Sequence, residues 1–68
     1  MTKIVMKSYY TGKIVKTIKL NEKARGRSIT YGPEWVGDNE RFVIRDYRTN
    51  AKLQSAAMPS GSVQYWVE

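Results

Sequence analysis

The stretch Lys13-Ile14-Val15-Lys16-Thr17-Ile18-Lys19-Leu20 decides the fold class. Ile14, Ile18 and Leu20 fall on one face, and Lys13, Thr17 and Lys19 on the other with Val15. That is the period-two alternation of a half-buried strand. Upstream, residues 3–10 are rich in β-branched and aromatic types, and Thr11-Gly12 offers a turn, so 3–20 reads as a β-hairpin. Lys-Ile-Val occurs at 3–5 and again at 13–15, a single recurrence that makes no repeat array. Downstream, 41–48 (Arg-Phe-Val-Ile-Arg-Asp-Tyr-Arg) is the next strongest strand, with Phe42 and Ile44 on one face and Val43 and Tyr47 on the other. Residues 28–31 form a short strand that Gly32-Pro33 is expected to end. Residues 33–36 predict one helical turn stopped by Gly37, and Asp38-Asn39-Glu40 a turn. The 21–27 segment reads as polar and flexible, and 51–58 fits either a short strand or a helical turn. After Pro59-Ser60-Gly61, Val63, Tyr65 and Val67 alternate as a final strand. The expectation is a single domain over 1–68, mainly β. It has five to six short antiparallel strands and at most one short helix, arranged as a small barrel or a swapped-hairpin dimer.

A 68-residue chain buries only about 60% of the surface that its unfolded form exposes. Small domains often add a staple. The chain has no cysteine and no histidine, which excludes disulfides, cysteine metal sites and the commonest transition-metal ligand. Dimerisation is the staple left. The same absences remove the usual nucleophile–base pairs. Glu34, Asp38 and Glu40 are the nearest carboxylate cluster, but Gly37 and Asn39 beside them give it the composition of a solvated turn. The reading is therefore a non-enzyme without a cofactor. No run approaches the ~20 apolar residues of a membrane span, and the first seven residues lack the apolar run of a signal peptide. A cytoplasmic location is expected.

Net charge is +6, and its distribution says more than its sum. Residues 1–27 hold eight Lys and Arg against Glu22 alone, a net +7, whereas 28–68 hold four against five carboxylates, a net −1. Such asymmetry points to a polyanion partner, although lysines also blunt sheet edges and keep small proteins in solution. Aromatics beside cations are what single-strand binders use, with bases stacking on rings while cations track phosphates. Tyr9-Tyr10 near Lys7 and Lys13, and Tyr47 between Arg45 and Arg48, fit that pattern. Core packing competes for every aromatic. Tyr10 and Tyr47 each adjoin a turn and are the better surface candidates. Arg25-Gly26-Arg27 could grip phosphate bidentately or be an ordinary solvated loop. The candidate nucleic-acid-binding residues are Lys13, Lys16, Lys19, Lys23, Arg25, Arg27, Tyr10, Arg45, Tyr47 and Arg48. No glycine-rich phosphate loop is present, and no adjacent pair of helical periods suggests a helix-turn-helix.

Residues 18–46 run from a lysine-rich strand through Gly26-Arg27 and Ile29 to Pro33, Trp35, Gly37, Asp38 and the strand 42–45. In that order they resemble the AbrB/MazE-type swapped-hairpin DNA-binding family. Gly32 is an extra residue before the proline, the usual long first helix is shortened to 33–36, and 51–68 has no counterpart in the minimal family. The resemblance implies an intertwined homodimer that binds DNA as a transcription regulator or antitoxin, with Lys16, Lys19, Lys23, Arg25 and Arg27 as the carried-over contacts. The leading expectation is a small basic DNA-binding protein, with duplex DNA as the partner. The alternatives are a protein-binding module or inhibitor of phage or viral type acting on a host protein, and an OB-type single-strand or RNA binder.

Overall fold

In the computed structural model, which describes residues 1–68 throughout, the chain is six β-strands with no helix. They are β1 (Lys3–Ser8), β2 (Ile14–Lys19), β3 (Ile29–Val36), β4 (Asn39–Asp46), β5 (Lys52–Ala57) and β6 (Val63–Val67). They form two three-stranded antiparallel sheets, in the orders β2-β1-β6 and β3-β4-β5. The first sheet belongs to a compact unit of Met1–Leu20 and Pro59–Glu68, the second to a unit of Asn21–Met58. β1 and β4 are the central strands. Each carries three consecutive buried residues, Ile4-Val5-Met6 and Phe42-Val43-Ile44. Consecutive strand residues point to opposite faces, so the middle of each central strand is closed to water on both sides.

The β1–β2 hairpin is present, with one change of face. A bulge between Met6 and Lys7 pairs Met6 with Lys16 and Lys7 with Ile14, leaving Val15 as the extra residue. One extra residue moves all that precedes it to the other face. Ile14, expected beside Ile18 and Leu20, lies instead on the face of Lys7 and is 62% exposed.

The expected helical turn at 33–36 is overturned, because β3 runs through Pro33 to Val36. β3 is an edge strand, where proline is tolerated. Counting outward from the Gly37-Asp38 turn, Pro33 and Phe42 form a non-hydrogen-bonded pair, so the absent N–H costs the ladder nothing. Gly37 has φ 62° and Asp38 a negative φ, the signature of a type II′ hairpin turn with glycine first. Asn39 and Glu40 consequently belong to β4 rather than to the turn. Residues 51–58 resolve as strand β5.

The two sheets repeat one another. Every β1–β2 pair, from Lys3↔Lys19 to Lys7↔Ile14, reappears 38 residues later in β4–β5, from Arg41↔Ala57 to Arg45↔Lys52, with the bulge at the same place. β6 meets β1 as β3 meets β4, with Val63↔Ser8 matching Ile29↔Asp46 and Val67↔Ile4 matching Pro33↔Phe42. The turns are copies as well. Ser8 Oγ accepts the Tyr10 and Thr11 amides (3.1 and 3.3 Å), and Thr11 Oγ1 accepts the Lys13 amide (3.2 Å). Asp46 Oδ1 accepts the Arg48 and Thr49 amides (2.9 and 3.4 Å), and Thr49 Oγ1 accepts the Ala51 amide (3.3 Å). Gly12 (φ 72°) and Asn50 (φ 63°) fill the same left-handed position, the latter because asparagine tolerates it best among residues with a side chain. The Tyr9 amide donates to the Ser62 carbonyl and the Tyr47 amide to the Ser28 carbonyl. The shared Lys-Ile-Val tripeptides have no part in this repeat. They lie on paired strands of one sheet.

Two consequences can be measured. A 68-residue domain has about 3–10 kcal/mol of stability, and emptying the Phe42 site removes about 3–5 kcal/mol. Phe42→Ala should therefore lose a large share of the total stability and show a much lower urea midpoint by circular dichroism, whereas Ile4→Val should lose only about 1 kcal/mol in the same titration. Because serine and aspartate cap the same two turn amides, Asp46→Ser should keep a melting temperature close to that of the parent. Asp46→Ala, which leaves those amides uncapped, should fall clearly below it.

Candidate nucleic-acid interface

One face of the β2-β1-β6 sheet is lined by Lys3, Val5 and Lys7 from β1, Thr17 and Lys19 from β2, and Gln64 and Trp66 from β6. Val5 at its centre is only 3% exposed, while Lys3, Lys19 and Thr17 are exposed around it. Long lysine stems can cover an apolar residue and still hold the ammonium in water. The Lys7 ammonium lies over the Trp66 ring, 5.9 Å from its centroid. Trp66 Nε1 donates to Glu68 Oε2 at 2.7 Å, and Glu68 Oε1 is 3.9 Å from Lys3 Nζ. Lys3 and Lys19 stand directly opposite each other in the ladder, a like-charge pairing that destabilises a sheet. The repeat supplies a comparison, since the equivalent pair in the other sheet is Arg41↔Ala57. The fold therefore does not require two cations there.

The charge asymmetry along the chain divides differently between the units. Lys23, Arg25 and Arg27, from the basic half of the chain, belong to the second unit. The first unit has five lysines against Glu68, a net +4. The second has seven cations against five carboxylates, a net +2. Much of this second set is held internally. Arg45 Nε and Nη2 grip both oxygens of Glu34 at 2.9 Å, and its Nη1 donates to the Asn50 carbonyl at 2.9 Å. Arg41 Nε donates to Ser55 Oγ at 2.8 Å, and Arg27 Nη1 to Asp46 Oδ2 at 3.0 Å.

The remaining sequence candidates are distributed over both units. Tyr10 is 82% and Tyr47 69% exposed, at tips of the two matching turns. Lys13 ends the first turn, exposed. Lys16 pairs with Met6, on the face opposite Lys19. Lys23 and Arg25 are exposed on a connection that is pinned rather than flexible. The Asn21 amide donates to Gln54 Oε1 (2.9 Å) and its Nδ2 to the Leu53 carbonyl (3.1 Å), while its Oδ1 accepts the Ala24 amide (3.0 Å) and Ala24 is buried. Arg27 and Arg48 meet Gly26, Ser28 and Asp46 at a cleft. The structure thus gathers Lys19 with Lys3, Lys7, Gln64 and Trp66, of which the sequence reading had singled out only Lys7, as a cation near Tyr9-Tyr10. Strand alternation places Lys3 and Lys7 on one face, and that signal was available. The register of β6 was not.

The Arg45 fork holds the Glu34 carboxyl below its ordinary range, and Glu34 in turn raises Arg45. Asp46 is lowered chiefly by the Arg48 amide and then by the Arg27 guanidinium. A depressed carboxylate stabilises the folded state above its unfolded pKa, and that contribution is lost as pH falls through the folded value. Melting temperature should therefore decline on acidification below the ordinary carboxylate range. Asp46→Ser should flatten that decline, as followed by circular dichroism across the acid limb.

No helix is long and apolar enough to cross a membrane. Comparison of the chain with protein-family models, with curated proteins and with solved structures finds no match.

Proposed function

We propose that this is a small basic DNA-binding protein whose β2-β1-β6 face lies along the phosphate backbone. The Lys3↔Lys19 opposition carries this reading. Two like charges held across a ladder cost folding free energy, and a polyanion laid over them removes the repulsion and releases counterions. Lys7, Thr17 and Gln64 add a cation and hydrogen-bonding groups to the same face. Trp66 offers an aromatic surface beside them. Duplex DNA is the first choice, because a row of lysines on a regular sheet tracks backbone charge without needing unstacked bases. Homodimerisation and a regulator or antitoxin role accompany the reading through the resemblance of residues 18–46. A second reading, a module that docks on a host protein, is favoured by Trp35, which is 71% exposed at the β3–β4 tip with Val36 also exposed.

The test is fluorescence anisotropy with a random duplex and a random single strand at several salt concentrations. Each neutralised phosphate contributes about −0.9 to the slope of log K against log salt on duplex DNA. Replacing Lys3, Lys7 and Lys19 together by Gln, which removes the charges and keeps most of each stem beside Val5, should make the slope shallower by roughly 2–3 and weaken binding on all sequences alike. Binding with the parent slope in the triple variant would move the interface elsewhere. No binding at low salt would turn the search to a protein partner, with Trp35→Ala as the variant to compare.

A further inference from the structure

The repeat allows one unit to serve as the control for the other. At the second turn a cleft of about 370 Å³ is lined by Gly26, Arg27, Ser28, Asp46 and Arg48. The matching positions in the first unit are Ser60, Gly61, Ser62, Ser8 and Tyr10, reached through the same strand pairings. The first turn closes with the same backbone and side-chain hydrogen bonds and without any of these three charges. Neither guanidinium is thus demanded by the turn. Asp46 caps its amides with Oδ1 as Ser8 does with Oγ, and uses its second oxygen to hold Arg27 Nη1 at 3.0 Å. The Arg27 side chain is still 55% exposed. The Arg48 side chain is exposed and holds no partner in the chain.

We infer that the Gly26–Ser28/Arg48 cleft is a phosphate-binding site, in which Arg27 and Arg48 grip the oxyanion and the Ser28 hydroxyl donates to it. A guanidinium aligned by a carboxylate presents its remaining N–H donors in a fixed fork, which suits the geometry of phosphate oxygens. The Asp46 carboxylate is satisfied by three donors, and with two guanidiniums against it the cleft keeps a net positive charge. The site lies in the second unit, apart from the lysine face in sequence and strand, and stands whether or not that face binds DNA. A phosphate monoester dianion and a backbone phosphodiester share the chemistry it would recognise.

The experiment is an amide-shift NMR titration of the full chain with inorganic phosphate and, separately, with dimethyl phosphate, at constant ionic strength. Saturable shifts are expected at Gly26, Ser28 and Arg48. Preference for inorganic phosphate would assign the site to a terminal phosphate, and similar affinity for both would assign it to the backbone. Arg48→Tyr installs the residue that the first turn carries at this position, so it should fold. It should weaken phosphate about tenfold, the loss expected for one charge-assisted contact. Arg27→Ala should do the same, whereas the Lys3, Lys7 and Lys19 triple variant should leave the titration unchanged. Absence of saturable shifts in this cleft, or an Arg48→Tyr chain that binds phosphate as the parent does, would overturn the inference.

Discussion

Everything in this molecule depends on two strand centres that must be dry on both faces. Ile4-Val5-Met6 and Phe42-Val43-Ile44 supply six of its nine buried apolar residues. A 68-residue chain has few other groups to exclude water with, and it has no disulfide to lower the entropy of its unfolded state. On the face of Val5 the neighbours are Lys3, Lys7, Thr17, Lys19 and Trp66. The groups that the ladder sets beside Val5 to shield it are the methylene stems of lysines and one indole. Core and candidate interface thus share residues on this sheet.

The second sheet meets the same requirement with different chemistry. Its central strand carries Arg41, Val43 and Arg45 where the first carries Lys3, Val5 and Lys7. Glu34 stands where Glu68 does. In both, a carboxylate on the neighbouring strand engages a central-strand cation: Glu68 with Lys3 at 3.9 Å, and Glu34 with Arg45 through a two-point fork. The loose contact leaves the lysine its hydration, whereas the fork fixes the guanidinium and, through Asn50, the turn beyond it.

Much of this fold was legible in the residues. Alternation identified β2 and β6, the Phe42–Ile44 run identified β4, and Thr11-Gly12 located the first turn. What escaped was decided by pairing. The bulge that turns Ile14 outward depends on the partner strand and leaves no mark in the composition of β2. Pro33 reads as a strand breaker because an isolated sequence does not say which strands are edges. The repeat was invisible because its copies share only scattered residues, such as Val5 with Val43, Tyr9 with Tyr47 and Thr11 with Thr49. What they share is a register. At the candidate site, Lys19 was legible as an exposed cation, but the Lys3↔Lys19 opposition needed the ladder. Arg45, which sequence places among surface contacts, uses its whole fork inside its own unit.

The distribution of the two cationic side chains follows from how each is used. All five cations of the first unit are lysines, and five of the seven in the second are arginines. A guanidinium offers five donors in a rigid plane and loses little freedom per bond, whereas an ammonium is compact and strongly hydrated. Arg27, Arg41 and Arg45 spend those donors on Asp46, Ser55, Glu34 and Asn50. Arg41 and Arg45 are thereby tied into their own sheet, whereas Arg27 gives only Nη1 to Asp46. Lysines on the other sheet form no such forks, and on the proposed reading their field, acting over a Debye length of about 8–10 Å, would attract a polyanion without fixing its register. The second unit retains Arg48 as a fork without an internal partner, beside an Arg27 already held in position. On the proposed reading, the lysines of one unit would draw a polyanion in and the arginine fork of the other would fix its position, the part that phosphate contacts play in a nucleic-acid binder.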